Sequence, residues 1–112
     1  MKGTVFIPPI RGGHRWFVIS DVVEGEILTV NITDAEHEDS TCILQPGDHP
    51  CVTKLSAVRY RSAKAWPVQE LRNNLALCKV HADLASTTLL QRMIEGGLKS
   101  EDLAKKLLKF LK

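Results

Sequence analysis

Lysine and arginine are missing from Trp16 through Thr53, a third of the chain. Aromatic residues are also few, six in 112, so no base-stacking surface is advertised. Cysteine is scarce. Cys42, Cys51 and Cys78 are odd in number and form no close pair. That argues against a disulfide framework and for a reducing compartment. Long hydrophobic runs are absent. Val5-Phe6-Ile7 stops at Pro8-Pro9, too short for a signal peptide, and no apolar run approaches bilayer length. The expectation is a cytoplasmic protein with no membrane partner. The length of 112 residues suits one domain with a real core, not two. A formal net charge of +2 is too small to argue for nucleic acid by itself.

The distribution of charge says more than its sum. The stretch without cations carries eight acids, from Asp21 to Asp48. From His49 to Gln69 there is no acid, but Lys54, Arg59, Arg61 and Lys64. The first fifteen residues add Lys2, Arg11 and Arg15, again without an acid. A polarised surface follows. Its basic face could hold a phosphate backbone, or could simply be a solvated face of a small barrel.

The first two-thirds of the chain reads as strands. Val5–Ile7, Arg15–Asp21, Glu26–Thr33, Thr41–Leu44, Cys51-Val52 and Ser56–Tyr60 are short apolar or alternating runs bounded by turn residues. Val23-Glu24-Gly25-Glu26 reads as a hairpin turn, Gln45-Pro46-Gly47-Asp48 as a second turn, and Asp34 to Ser40 as an acidic loop. After Pro67 the period changes. Val68, Leu71 and Leu75 are spaced for one helix face. Ser86 is placed to cap a helix that Gly96-Gly97 would stop, and Ser100 to cap a last helix with an apolar stripe of Leu103, Leu107, Phe110 and Leu111. Residues 76–81 fit either helix or strand. The expected fold is mainly β with C-terminal helices, an α+β chain. A small barrel or strongly curved sheet fills residues 1–66, and a helical segment, 67–112, packs on it.

Two turns carry the candidate chemistry. Gly47-Asp48-His49-Pro50 presents His49 as a general acid or base, or as a structural histidine whose ring bonds a backbone carbonyl. Gly12-Gly13-His14-Arg15 leads into a dense apolar strand. Alternation points His14 and Arg15 to opposite faces. Arg15 can fork onto a phosphate and stabilise transition-state charge, or pair with a nearby acid. Thr33 and Ser56 end or begin strands, where a hydroxyl donates to a phosphate oxygen or satisfies local backbone. Arg11, Lys54, Ser56 and Arg59 complete the candidate substrate-binding set. Cys42, His49 and Cys51 fall within ten residues but lack zinc-motif spacing, so neither metal nor cofactor is implied.

Taken in order, the basic Gly loop, the Trp/Val/Ile strand ending in Ser-Asp, Val-Asn-Ile-Thr, Thr-Cys-Ile-Leu, Gly-Asp-His-Pro and Ser-x-Val-x-Tyr resemble the PemK/MazF-like plasmid-maintenance toxins. The likeness spans roughly residues 3–65. It implies an SH3-like β-barrel, a homodimer, and a metal-independent endoribonuclease held inactive by an antitoxin. It places the active-site arginine and hydroxyl on Arg15 and Thr33. The chain departs from the family's Gly-x-Arg-Pro at Trp16, and it adds His14 and His49. The function expected is RNA cleavage through a 2′,3′-cyclic phosphate, with His49 or His14 as base. The alternative is a non-catalytic SH3-like interaction module that binds a protein or nucleic acid.

Overall fold

The computed structural model describes residues 1–10, 13–37 and 41–112. Arg11 and Gly12, and Glu38, Asp39 and Ser40 of the acidic loop, lie outside the described residues. In chain order the elements are β1 (Val5–Ile7), β2 (Arg15–Val18), β3 (Glu26–Asp34), a 3₁₀ turn (Ala35–His37), β4 (Ile43–Leu44), β5 (Ser56–Pro67), α1 (Val68–Leu75), β6 (Lys79–Val80), α2 (Thr87–Lys99) and a 3₁₀ helix (Lys105–Phe110). The described strands form one curled antiparallel sheet in the order β4-β5-β3-β2-β1-β6. The chain is mainly β with helices packed against it. Among the described residues, no helix is long and apolar enough to cross a membrane.

The β2–β3 hairpin turns at Glu24 (φ 52°) and Gly25 (φ 79°). Two successive positive φ values make the mirror-image turn whose twist matches the flanking strands. On β3, alternation sends Leu28, Val30 and Ile32 into the main core and Ile27 to the opposite face. The main core lies inside the curl, where Leu89, Leu90 and Met93 of α2 and Leu107 and Phe110 of the 3₁₀ helix close it. A smaller cluster lies outside. There Leu71 of α1 covers Phe6, Val18 and Ile27, with Trp16, Trp66 and Leu75 around them. The stripe Leu103, Leu107, Phe110 and Leu111 is buried, as its spacing predicts.

Several expectations need correction. Cys51-Val52 forms no strand. β5 runs on past Tyr60 to Pro67, across a register break opposite Thr29 and Asn31. The extra length was hidden because Ala63 and Ala65, which pack on the core, are weak strand formers, and the intervening Arg61 and Lys64 are exposed. Residues 76–81 resolve into a turn and then the short edge strand β6. Ser100 follows α2 instead of starting the last helix, which begins after Ala104. Ser86 does cap α2, accepting from the Leu89 N–H at 3.0 Å.

Gly96 and Gly97 do not stop α2; they lie inside it, against β5. A Cβ on Gly96 would stand 2.6 Å from Tyr60 Oη, 2.7 Å from Cys42 Cβ and 2.8 Å from the Thr41 carbonyl. The glycines let helix and sheet approach closely, and Tyr60 Oη then donates to the Met93 carbonyl at 2.7 Å. Gly96→Ala is therefore expected to destabilise by about 1–3 kcal/mol through overpacking, despite the ~1 kcal/mol helix-propensity gain of alanine. Chemical denaturation of the variant checks this; a gain in stability would show that the contact yields.

Candidate functional site

Arg15 opens β2 and pairs with Ile32 of β3, which places it at the rim of the curl. The next residues past this pair are His14 and Thr33. All three line a hollow of about 350 Å³. Its opposite wall is Cys51, Thr53 and Lys54, on the segment leading into β5, with Ser56 at the start of that strand. Five of the eight candidate residues therefore converge: His14, Arg15, Thr33, Lys54 and Ser56. Asp34, also in the lining, meets Lys54 at 2.7 Å. That pair is well exposed, so it adds little stability and is easily exchanged for another anion. The Arg15 Nε is buried with no hydrogen-bond partner. An orphaned donor on a guanidinium is costly unless an acceptor reaches it, and a phosphate oxygen is a strong one. Ser56 Oγ donates to the Lys54 carbonyl at 2.9 Å, the local-backbone role open to it from the sequence. Burial pushes the Cys51 thiol up despite the nearby Arg15, which favours its neutral form at this wall.

Among the described candidates, Arg59 and His49 do not line this hollow. Arg11 lies outside the described residues. Arg59 pairs with Asn31 on the outer face of the sheet. His49 is 3 % exposed, and both ring nitrogens are engaged. Nδ1 accepts from the Cys51 N–H at 3.0 Å, so Nε2 carries the proton and donates to the Asp83 carbonyl at 2.8 Å. No lone pair remains for a substrate proton. Of the two possibilities open from the sequence, the structural histidine is the one the geometry fits.

The two histidine contacts have a structural consequence. β4 and β6 are the edges of the curled sheet. His49 follows β4, and Asp83 follows β6. Their hydrogen bond draws the chain beyond one edge onto the chain beyond the other. His81 adds to the joint: its ring meets His49 edge-on at 4.8 Å, and its Nδ1 accepts from the Asp83 N–H at 3.0 Å. Phe17 closes the other side of His49 at 5.8 Å.

Asp48 is structural too. Gly47, at φ 105°, completes a type II turn after Pro46. The turn delivers Asp48 to α2, where Arg92 donates to it at 3.0 and 3.4 Å and to the Ile43 carbonyl at 2.6 Å. Burial pushes the Asp48 carboxyl up, but the Arg92 and Gln45 N–H hydrogen bonds outweigh it and hold the group below its ordinary 3.8. A depressed carboxyl contributes stability that is present above its unfolded value and lost as pH falls through the folded one. Asp48→Asn is expected to cost about 1–3 kcal/mol at neutral pH, nearer the low end because Arg92 is partly solvated. Denaturation midpoints between about pH 5 and about pH 2.5 check the sign. The gap between wild type and variant should close only below the ordinary carboxylate value.

Thr53 and Asp34 are lining residues that the sequence did not single out, and Cys51 was weighed there only as a metal ligand. Their only signal was position: Asp34 follows Thr33, and Cys51 to Lys54 read as a strand and its exit. Among the described residues, no group of three or more His, Cys, Asp or Glu side chains stands together as a metal site. Comparison with family models, curated proteins and solved structures gives no match for this chain.

Proposed function

We propose that this chain is a PemK/MazF-like toxin with an SH3-like barrel, a metal-independent endoribonuclease acting on single-stranded RNA. The observation that carries the proposal is the convergence of His14, Arg15, Thr33 and Lys54 on one hollow, with an unpartnered donor of Arg15 buried beside it. A scissile phosphate would lie on the Arg15 guanidinium. His14, the imidazole of this hollow, takes the proton of the ribose 2′-hydroxyl. The oxygen so freed attacks phosphorus, the bond to the 5′-oxygen breaks, and that oxygen leaves with a proton from solvent. Arg15, with the Thr33 hydroxyl, stabilises the added negative charge. The product is a 2′,3′-cyclic phosphate and a free 5′-hydroxyl. His49 has no chemical role in this scheme.

The proposal includes a homodimer and a cognate antitoxin. Pure protein incubated with RNA in excess chelator tests the chemistry, the cyclic end group being the expected product. Growth arrest on expression, relieved by a small protein encoded next to the gene, tests the biology. The withdrawal of His49 into the fold favours one second reading: the hollow binds RNA or a protein partner and cuts nothing. Tight RNA binding without cleavage by wild type would select it.

A further inference from the structure

Beyond Arg15 the hollow continues. Arg15, Cys51 and Thr53 also line a second hollow of about 210 Å³, whose far wall is Lys79 and His81. The sheet explains why those two side chains face it. In β6, Lys79 pairs with Ile7 and Val80 with Phe6, and the His81 N–H donates to the Val5 carbonyl at 2.8 Å. Val80 therefore lies on the outer face with Phe6, while Lys79 and His81 share the face of Ile7 and Val5. The strand order β2-β1-β6 places Lys79 two strands from Arg15, about 9.6 Å at the usual spacing. The chemistry of this wall is specific. Lys79 brings a mobile positive charge. His81 accepts the Asp83 N–H at Nδ1, so its neutral ring carries the proton on Nε2 and is a hydrogen-bond donor. That donor is suited to a phosphate oxygen. Among the described residues, no acid side chain lines this second hollow.

We propose that the hollow of Lys79 and His81 is a second phosphate subsite, which holds the phosphate next to the one on Arg15 in the same RNA strand. This rests on the reading of the Arg15 hollow as an RNA site. The substrate then runs across the rim of the curl from Lys54, past Arg15, to the β6 edge. The minimum ligand that uses both subsites has two phosphates.

The test uses 2′-O-methyl oligonucleotides, which cannot be cut because the attacking hydroxyl is blocked. Binding of a dinucleoside monophosphate and a trinucleoside diphosphate is measured by NMR titration for wild type, Lys79→Ala and Lys79→Arg. Lys79 is exposed and paired through its backbone, so these variants should fold; thermal melts verify it. Lys79→Ala should weaken the trinucleotide about five- to tenfold and leave the dinucleotide unchanged, and Lys79→Arg should restore most of the loss. The slope of log Kd against log salt for the trinucleotide should fall by about 0.7, the value for one phosphate contact on a single strand. His81→Gln should act in the same direction on the trinucleotide. Equal effects on both ligands, or none on either, overturn the subsite. If wild type cuts RNA while Lys79→Ala binds the trinucleotide as tightly, the subsite falls and the nuclease stands. If wild type cuts nothing but shows the Lys79 dependence, the nuclease falls and the subsite stands. Failure of wild type to bind either oligonucleotide removes the subsite.

Discussion

Arg15→Ala should lower the rate of RNA cleavage by about 10²–10³-fold, the usual cost of removing one preorganised donor from a developing oxyanion. Its Nε is buried without a partner, so the guanidinium has an unused donor beside the hollow before any ligand arrives. The fold should tolerate the loss. The main core beneath it rests on Phe17, Ile32 and their neighbours, and removing an orphaned donor relieves a desolvation cost. Arg15→Lys is the sharper variant. A point charge replaces a planar fork, so substrate binding should survive better than the rate of the chemical step. Rates are measured with a fluorogenic RNA in excess chelator, and folding is followed in parallel by melts. Full activity in Arg15→Ala would place the reaction elsewhere, with the Arg61–Lys106 hollow the next basic surface to probe.

His49→Ala should behave in the opposite way. It is expected to lose about 2–4 kcal/mol of stability, from two broken buried hydrogen bonds and the cavity left by the ring. The loss has a definite location. His49 ties the turn after β4 to the Asp83 carbonyl after β6, so its removal loosens the junction between the two edges of the sheet. Hydrogen exchange should therefore rise first at the N–H groups of Cys51 and His81. Cleavage per folded molecule should fall by no more than about tenfold, because the ring touches no substrate. A loss as deep as that of Arg15→Ala, with stability unchanged, would return His49 to the chemistry.

The contrast between these two residues shows what the sequence could and could not reveal. The hairpin, the alternation of β3 and the last apolar stripe were legible because each is a local pattern: two turn residues, a period of two, a helical spacing. The Arg15 hollow was half legible for the same reason. Arg15 and Thr33 lie near facing ends of two strands joined by one short turn, so their proximity follows from hairpin pairing. The opposite wall was legible only in part: Lys54 and Ser56 were named as binding residues from their charge and hydroxyl, whereas Thr53 and Cys51 were not. Thr53 and Lys54 arrive there through the packing of a segment without regular structure. His49 misled for a related reason. A histidine next to an aspartate on a Gly-Pro turn is also what a fold uses to fasten a loop, and the fasteners here are Asp83 and Arg92, 34 and 44 residues away. Gly96 and Gly97 show the same limit. Helix stop and close-packing glycine are identical in sequence and differ only in what lies opposite.

Placement of the scissile phosphate in the Arg15 hollow is read from the side-chain N–H resonance of Arg15. Titration of the labelled protein with an uncleavable 2′-O-methyl RNA should shift the Arg15 Nε–H signal saturably, together with the amides of Gly13 and Thr53, and leave the ring signals of His49 in place. A saturable shift centred on other arginines, with Arg15 unmoved at full occupancy, would contradict it.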